Sequence, residues 1–248
     1  METRDDLGAR VELARVPQRV VSLVPSLTEA LAASCPDRLV GATTWCTHPA
    51  GLDVVRVRGT KNPDLTAIAA LRPDLVVANK EENRELDVQR LRARGIPVWV
   101  TDIETVPQAL AAMRRLLVDG LRVSEPGWLG EAADRWAGPT PAMHTRVVVP
   151  IWRDPWMVVG HPTFTADLLA RAGYAVCSPG PGRYPKAELA ALDDEDLADL
   201  VLLPDEPYVF TERDGPGAFQ TLPTRLVSGR LLTWYGPALV EAANWAGR

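Results

Sequence analysis

Short apolar runs alternate along the chain with longer stretches in which apolar residues recur at helical spacing. That alternation is the mark of β/α units, in which each strand is followed by a helix that packs back on it. It predicts strands over residues 19–24, 39–42, 74–78, 98–101, 146–151, 156–159, 199–203 and 225–227. Helices are predicted over 27–34, 64–71, 84–94, 106–117, 126–137, 164–172, 186–191 and 237–246. The strands are rich in Val and Leu with few polar interruptions, as expected of parallel sheets covered on both faces.

Several boundaries carry their own chemistry. Ser26 with Glu29 three residues on reads as a capping box. Asn62-Pro63-Asp64 offers an N-cap, a first-turn Pro and an acid, and Leu65, Ile68 and Leu71 then form one apolar stripe. Arg72-Pro73 should end that helix, because the residue before Pro is pushed out of the α region. Asp193-Asp-Glu-Asp196 reads as a solvated helix start. Residues 105–137 have helical character and no strand signal, with a break near 119–125, and Gly138-Pro-Thr-Pro-Ala-Met-His144 is a turn-rich interruption. The expected plan is α/β: an N-terminal β/α lobe over 1–104, a helical connector over 105–142 and a C-terminal β/α lobe over 143–248, both lobes Rossmann-like.

At 248 residues the chain can bury a core without disulfides or metals. The longest apolar runs fall short of the roughly 18 residues a membrane span needs, so no spanning helix is expected. The net charge is −5 and no Lys/Arg cluster is present, which argues against a nucleic-acid partner. Three widely spaced Cys, with no CxxC, suggest neither a disulfide scaffold nor a zinc ribbon. The first residues are charged and lack the apolar core of a secretory leader; the chain as it stands reads as cytoplasmic, and as extracytoplasmic if a leader has been removed.

The commonest catalytic signatures are absent: there is no GxxxxGK[ST], HExxH, GxSxG or protein-kinase set, and the three His are scattered. No catalytic residue, metal ligand or prosthetic group is therefore assigned. Trp45-Cys-Thr-His-Pro49 places a thiol and an imidazole two residues apart, which could form a metal or nucleophile–base pair but reads first as a buried Cys beside a loop His, since nucleophile and base usually converge from distant segments. Of the eight Trp, Trp136 and Trp245 fall on helices and read as core. Trp45, Trp152, Trp156 and Trp234, with Tyr184, Tyr208 and Tyr235, fall at strand ends or in loops, and fit a flat ligand wall or sheet-top packing equally well. Glu81-Glu82 and Asp205-Glu206 fit helix-dipole complements or docking points on the two lobes.

The segments RVVSLVPSLTEAL (19–31) and GTKNPDLTAIAALRPDLVVAN (59–79) resemble the helical-backbone metal-chelate receptors, the substrate-binding proteins of cobalamin and ferric-siderophore ABC importers. Asp6-Leu-Gly-Ala-Arg-Val11 is similar to the hairpin that opens that family's mature domain, and Leu232-Thr-Trp-Tyr-Gly-Pro237 matches more loosely. The resemblance implies two lobes joined by one long rigid helix, with the ligand in a cleft between the lobes. It implies ligand contacts from Trp45, Lys80 and Glu81 on the first lobe and from Trp152, Arg153, Trp156, Trp234 and Tyr235 on the second. It also implies docking of Glu82 and Glu206 on arginines of an importer permease, if the protein is exported.

The expected function is thus non-enzymatic binding of a metal chelate, foremost cobalamin or a related corrinoid, with His48 able to offer an axial nitrogen. A ferric siderophore, with Arg58, Lys61 and Arg153 against an anionic chelate, is the first alternative. A cytosolic enzyme using Cys46 and His48, or the carboxylates at 81–82 and 205–206, is the second; a sensory module is the third.

Overall fold

Two parallel β-sheets, each with its own hydrophobic core, organise the computed structural model, which describes residues 2–246. The chain separates into two compact units. Unit 1 takes the residues up to Ile103 with Pro107–Ala133 and Tyr235–Pro237; unit 2 takes Glu104–Val106, Asp134–Trp234 and the residues from Ala238 on.

Unit 1 opens with a hairpin of β1 (Glu2–Arg4) and β2 (Arg10–Glu12), followed by β3 (Val20–Ser22), α1 (Pro25–Ser34) and β4 (Leu39–Ala42). Next come three two-residue strands, β5 (Val55–Arg56), β6 (Arg58–Gly59) and β7 (Asn62–Pro63), then α2 (Leu65–Ala70), β8 (Leu75–Asn79), α3 (Glu85–Ala93) and β9 (Val98–Thr101). The main sheet runs β5-β4-β3-β8-β9, all parallel. Its core joins Val21, Leu23, Val76 and Ala78 to Leu91 and Val98. Every residue of β8 is buried, which explains its uninterrupted apolar run. Helix α4 (Val106–Arg114) passes into a π-helical turn at Arg115–Gly120, and α5 (Gly127–Arg135) follows. The long single helix implied by the resemblance is therefore two helices here. They part at the 119–125 break that the sequence marks, where Arg122 is left-handed (φ 54°) and Arg114 clamps Glu125 with two 2.8 Å bonds.

Unit 2 contains β10 (Thr145–Val148), the antiparallel pair β11 (Pro150–Trp152) and β12 (Met157–Val158), α6 (Phe164–Arg171) and β13 (Tyr174–Val176). It continues through α7 (Leu189–Leu192), β14 (Leu200–Pro204), β15 (Thr224–Val227), α8 (Gly229–Thr233) and α9 (Ala238–Trp245). The parallel sheet runs β13-β10-β14-β15 over a core that includes Val148, Trp156, Leu192, Val201, Leu203 and Phe210.

The two sheets share one topology. In each, four strands taken in chain order, β3, β4, β8 and β9 or β10, β13, β14 and β15, lie in the spatial order second, first, third, fourth, with β5 added at the edge of unit 1. The sequence marks the equivalence: Arg19-Val-Val and Asp74-Leu-Val in unit 1 match Arg146-Val-Val and Asp199-Leu-Val in unit 2. In each unit the Asp before the third strand accepts the backbone N–H of the Arg at the first, at 3.0 Å for Asp74 and Arg19 and 2.7 Å for Asp199 and Arg146. Burial draws the Asp74 carboxyl up, but the N–H groups of Gln18 and Arg19 and the Arg15 guanidinium together hold it below the usual range. Asp199 is held low by the Arg146 side chain and then by its backbone N–H.

Some local expectations change. Helix α1 starts at Pro25 with Val24 as its N-cap, so Ser26 lies two positions past the cap and the Ser26–Glu29 box does not form. The cap of α2 is Asp64, whose carboxylate accepts the N–H groups of Thr66 and Ala67 at 3.0 Å, while Asn62-Pro63 are strand. The helix expected over 186–191 is the shorter α7; Lys186 instead bridges Met157. Asp193 does not start a helix: its carboxylate receives the backbone N–H groups of Gln220, Thr221 and Leu222. The strand expected over 146–151 divides into β10 and β11, and β13, whose three residues are all half-buried, gave no sequence signal.

Candidate functional site

In open α/β sheets, ligands bind beyond the carboxyl ends of the strands, near the point where strand order reverses. In unit 1 that point lies between β3 and β8, and in unit 2 between β10 and β14. Several of the predicted site residues follow the carboxyl ends of these sheets' strands.

In unit 1, β4 leads into the loop 43–49. Cys46 is fully buried, with its Sγ 3.0 Å from Thr28 Oγ1 and 3.1 Å from Thr43 Oγ1. The Arg56 guanidinium ties the same loop down by donating to the carbonyls of Thr43, Cys46 and Leu52 at 2.9–3.1 Å. On this anchored turn Trp45 stands 64% exposed, an unusual position for so large an apolar ring. Gly59 lies beneath it; a Cβ there would come within 3.2 Å of the indole Nε1. His48 is also exposed, its Nδ1 3.2 Å from Thr47 Oγ1. Thiol and imidazole therefore point to different surroundings, and burial pushes the Cys46 thiol up, away from the thiolate a nucleophile needs.

The loop 80–83 leaves β8 through a pair of buried asparagines. Asn79 donates to the Thr101 carbonyl and hydroxyl and accepts the N–H groups of Glu81 and Glu82 at 2.8 and 3.2 Å. Asn83 returns the loop by accepting the Asn79 N–H at 2.9 Å and donating to the Leu23 and Thr60 carbonyls. Lys80 is exposed and pairs with Asp102 at 2.7 Å, Lys61 donates to the Glu81 carbonyl, and Glu82 accepts the Tyr235 hydroxyl at 3.3 Å. Tyr235 is buried, and that burial, followed by the charge of Glu82, pushes its phenol well above the ordinary value.

In unit 2, Trp152 at the end of β11 is 45% exposed and meets Tyr208 edge-on at 5.6 Å. Tyr208 donates to Asp214 at 2.5 Å, and Asp214 pairs with Arg153. Arg153 lies over the Trp156 ring at 5.3 Å. Trp156 itself is only 8% exposed, stacked on Phe210 and edge-on to Phe219, so its ring is a support beneath Arg153 rather than a wall. Beyond β14, Asp205 accepts the Gly229 N–H at 2.7 Å. Glu206 turns toward Thr233 Oγ1 at 3.2 Å and the Trp234 side chain; burial pushes its carboxyl up against those two hydrogen bonds. Trp234 is buried, with Arg230 over its ring at 5.9 Å.

Unit 1 thus gathers Trp45, His48, Lys80, Glu81 and Glu82 on one sheet edge, and unit 2 gathers Trp152, Arg153 and Glu206. Trp156, Trp234 and Tyr235 lie in the interior. Sequence reasoning did not single out Asn79, Asn83 and Asp214, which shape these edges. Among the described residues, no group of three or more His, Cys, Asp or Glu side chains is placed to hold a metal ion, and no helix is long and apolar enough to cross a membrane.

No family model matches the chain. A vitamin B12-binding protein of Pectobacterium atrosepticum is 33% identical over 103 residues, 41% of this chain and 37% of that protein. One from Yersinia pestis is 31% identical over 105 residues, 42% and 38% respectively. The matches thus span little more than a third of these relatives' length. Among solved structures, the periplasmic vitamin B12 binding protein BtuF of Vibrio cholerae superposes with a TM-score of 0.71 at 15% identity, over 93% of this chain and 95% of its own. The chain shares its fold with this binding protein. A periplasmic heme binding protein from Pseudomonas aeruginosa agrees, with a TM-score of 0.75 at 22% identity, covering 93% and 91%. The likeness is one of fold, which by itself does not fix a ligand.

Proposed function

We propose that the protein is a non-enzymatic binding protein for a metal chelate, and that the chelate is cobalamin or a related corrinoid. The observation that carries this reading is the pair of exposed indoles, Trp45 on a pinned loop after β4 in unit 1 and Trp152 at the end of β11 in unit 2. Rigid flat aromatic surface of this kind suits a large planar macrocycle, and little ordering is needed when the ligand arrives. The curated relatives named for vitamin B12 binding support the same ligand class. Against an enzyme on this scaffold stands Cys46, whose thiol is enclosed by two threonine hydroxyls.

The test is a calorimetric and fluorescence titration of the purified protein with hydroxocobalamin. Saturable binding at micromolar affinity or tighter, lost when Trp45→Ala and Trp152→Ala are combined, is expected. A change in the corrin absorption bands that disappears in His48→Ala would add an axial imidazole. Heat-free titration with unchanged fluorescence at high micromolar ligand would refute the corrinoid and direct the search to ferric chelates.

In its transport form the reading includes delivery to an importer permease through Glu82 and Glu206. Both carboxylates already bond within their own units, so docking must exchange those bonds for permease arginines. Co-purification with the permease that survives Glu82→Gln with Glu206→Gln would remove docking from the proposal.

A further inference from the structure

We propose that Asp214 is a specificity-determining residue, masking the charge of Arg153 so that the unit 2 edge favours neutral chelates over anionic ones. The inference rests on the chelate-binding reading above and names the charge class of its ligand.

Arg153 is the sole cation in the 149–156 segment and directly follows the exposed Trp152. Left alone, a guanidinium beside a flat ring would recruit carboxylate, catecholate or phosphate groups through its rigid fork of donors. Here the charge is already paired. Its Nη1 bonds Asp214, its Nε makes no hydrogen bond but lies 3.5 Å from the negative Asp154 Oδ2, and the Trp156 ring lies 5.3 Å from the guanidinium carbon.

Asp214 is itself fixed for this role. Its backbone exchanges two hydrogen bonds with Thr211 at 2.9 and 3.1 Å, and its second carboxylate oxygen receives the Tyr208 hydroxyl at 2.5 Å. That hydrogen bond, with the Arg153 charge behind it, holds the Asp214 carboxyl below its usual range and keeps it ionised. Arg153 and Asp214 cancel, Asp154 leaves one negative charge over, and the adjacent exposed Glu212 and Arg213 cancel again. An anionic chelate arriving at Trp152 must displace Asp214 or face Asp154. A neutral one meets the Trp152 ring without that electrostatic cost. Such a repulsive element discriminates between ligands of similar size even when their other contacts are equal.

The experiment measures the affinities of wild type and Asp214→Asn for two probes by calorimetry, neutral cyanocobalamin and trianionic ferric enterobactin. The ratio of the two affinities should move toward the anionic probe by roughly tenfold or more in the variant, the order one uncovered charge supplies at a partly buried site. Adding Arg153→Gln to Asp214→Asn should abolish the shift. Asp214→Ser serves as the second variant if the Asn form melts early. An unchanged ratio in both variants, or a shift that persists without Arg153, overturns the proposal. A wild type that binds cyanocobalamin while the ratio stays fixed refutes the masking alone; a wild type and variants that bind neither probe refute the chelate reading with it.

Discussion

Cys46 shows how one residue type supports opposite readings until its surroundings are known. In the sequence it stands two positions from His48, as a nucleophile might stand near its base. In the fold it is a small buried side chain between Thr28 and Thr43. Cys46→Ala is expected to destabilise the protein by about 1 kcal/mol, on the scale of a small cavity and two weak hydrogen bonds, and to leave chelate affinity intact. In the native protein a thiol reagent at neutral pH should reach the half-buried Cys35 and Cys177 well before Cys46, read by peptide mass mapping. Rapid labelling of Cys46 would reopen the enzymatic alternative. Gly229 is a second residue whose role comes only from packing. A Cβ there would lie 2.3 Å from the Glu206 side chain and 2.8 Å from its backbone N and O. Gly229→Ala should cost about 1–3 kcal/mol in urea unfolding, because backbone must move to admit the methyl group.

At the scale of elements, Asp74 and Asp199 pin the first and third strands of the two units in the same way. For Asp74 the sign of the pH dependence follows from its lowered folded-state pKa. The unfolded chain binds the proton more tightly, so the stabilisation is fully present above the ordinary carboxyl value of 3.8 and is lost as pH falls through the lower folded value. Denaturant midpoints of wild type should therefore fall below about pH 4, and Asp74→Asn should be less stable at neutral pH with a flatter acid limb. An identical acid limb in the variant would show that other carboxylates dominate. The loop 80–83 offers a companion case. Asn83→Ala removes the acceptor for the Asn79 N–H and the donor to two carbonyls, so hydrogen exchange at Asn79, Glu81 and Glu82 should accelerate while the amides of residues 75–78 stay protected. Equal acceleration over residues 75–78 would mean that the asparagines hold the sheet rather than the loop.

Over the whole molecule, two units repeat one strand order and place their exposed tryptophans at corresponding ends of their sheets. The β/α alternation, the parallel sheets and the break after α4 were legible in the chain because they depend on local periodicity and on Gly, Pro and Val/Leu usage. The strands that escaped detection, β5, β6, β7 and β13, are two or three residues long and carry too few positions for any period to show. Candidate site residues were legible only as residue types in loops. Four tryptophans looked equivalent: Trp45 and Trp152 proved exposed, whereas Trp156 and Trp234 are buried.

That division has a physical reason. Secondary structure, fold class and the absence of a nucleic-acid-binding charge pattern follow from composition and from contacts between residues a few positions apart, so the amino-acid sequence alone determined them. Which ring faces solvent, which arginine keeps its charge and which thiol can react depend on partners far along the chain. Arg153 meets Asp214 across 61 positions, Asn83 meets Leu23 across 60, and Thr28 meets Cys46 across 18. Only the tertiary structure brings those partners together, and with them it decided the character of the candidate site.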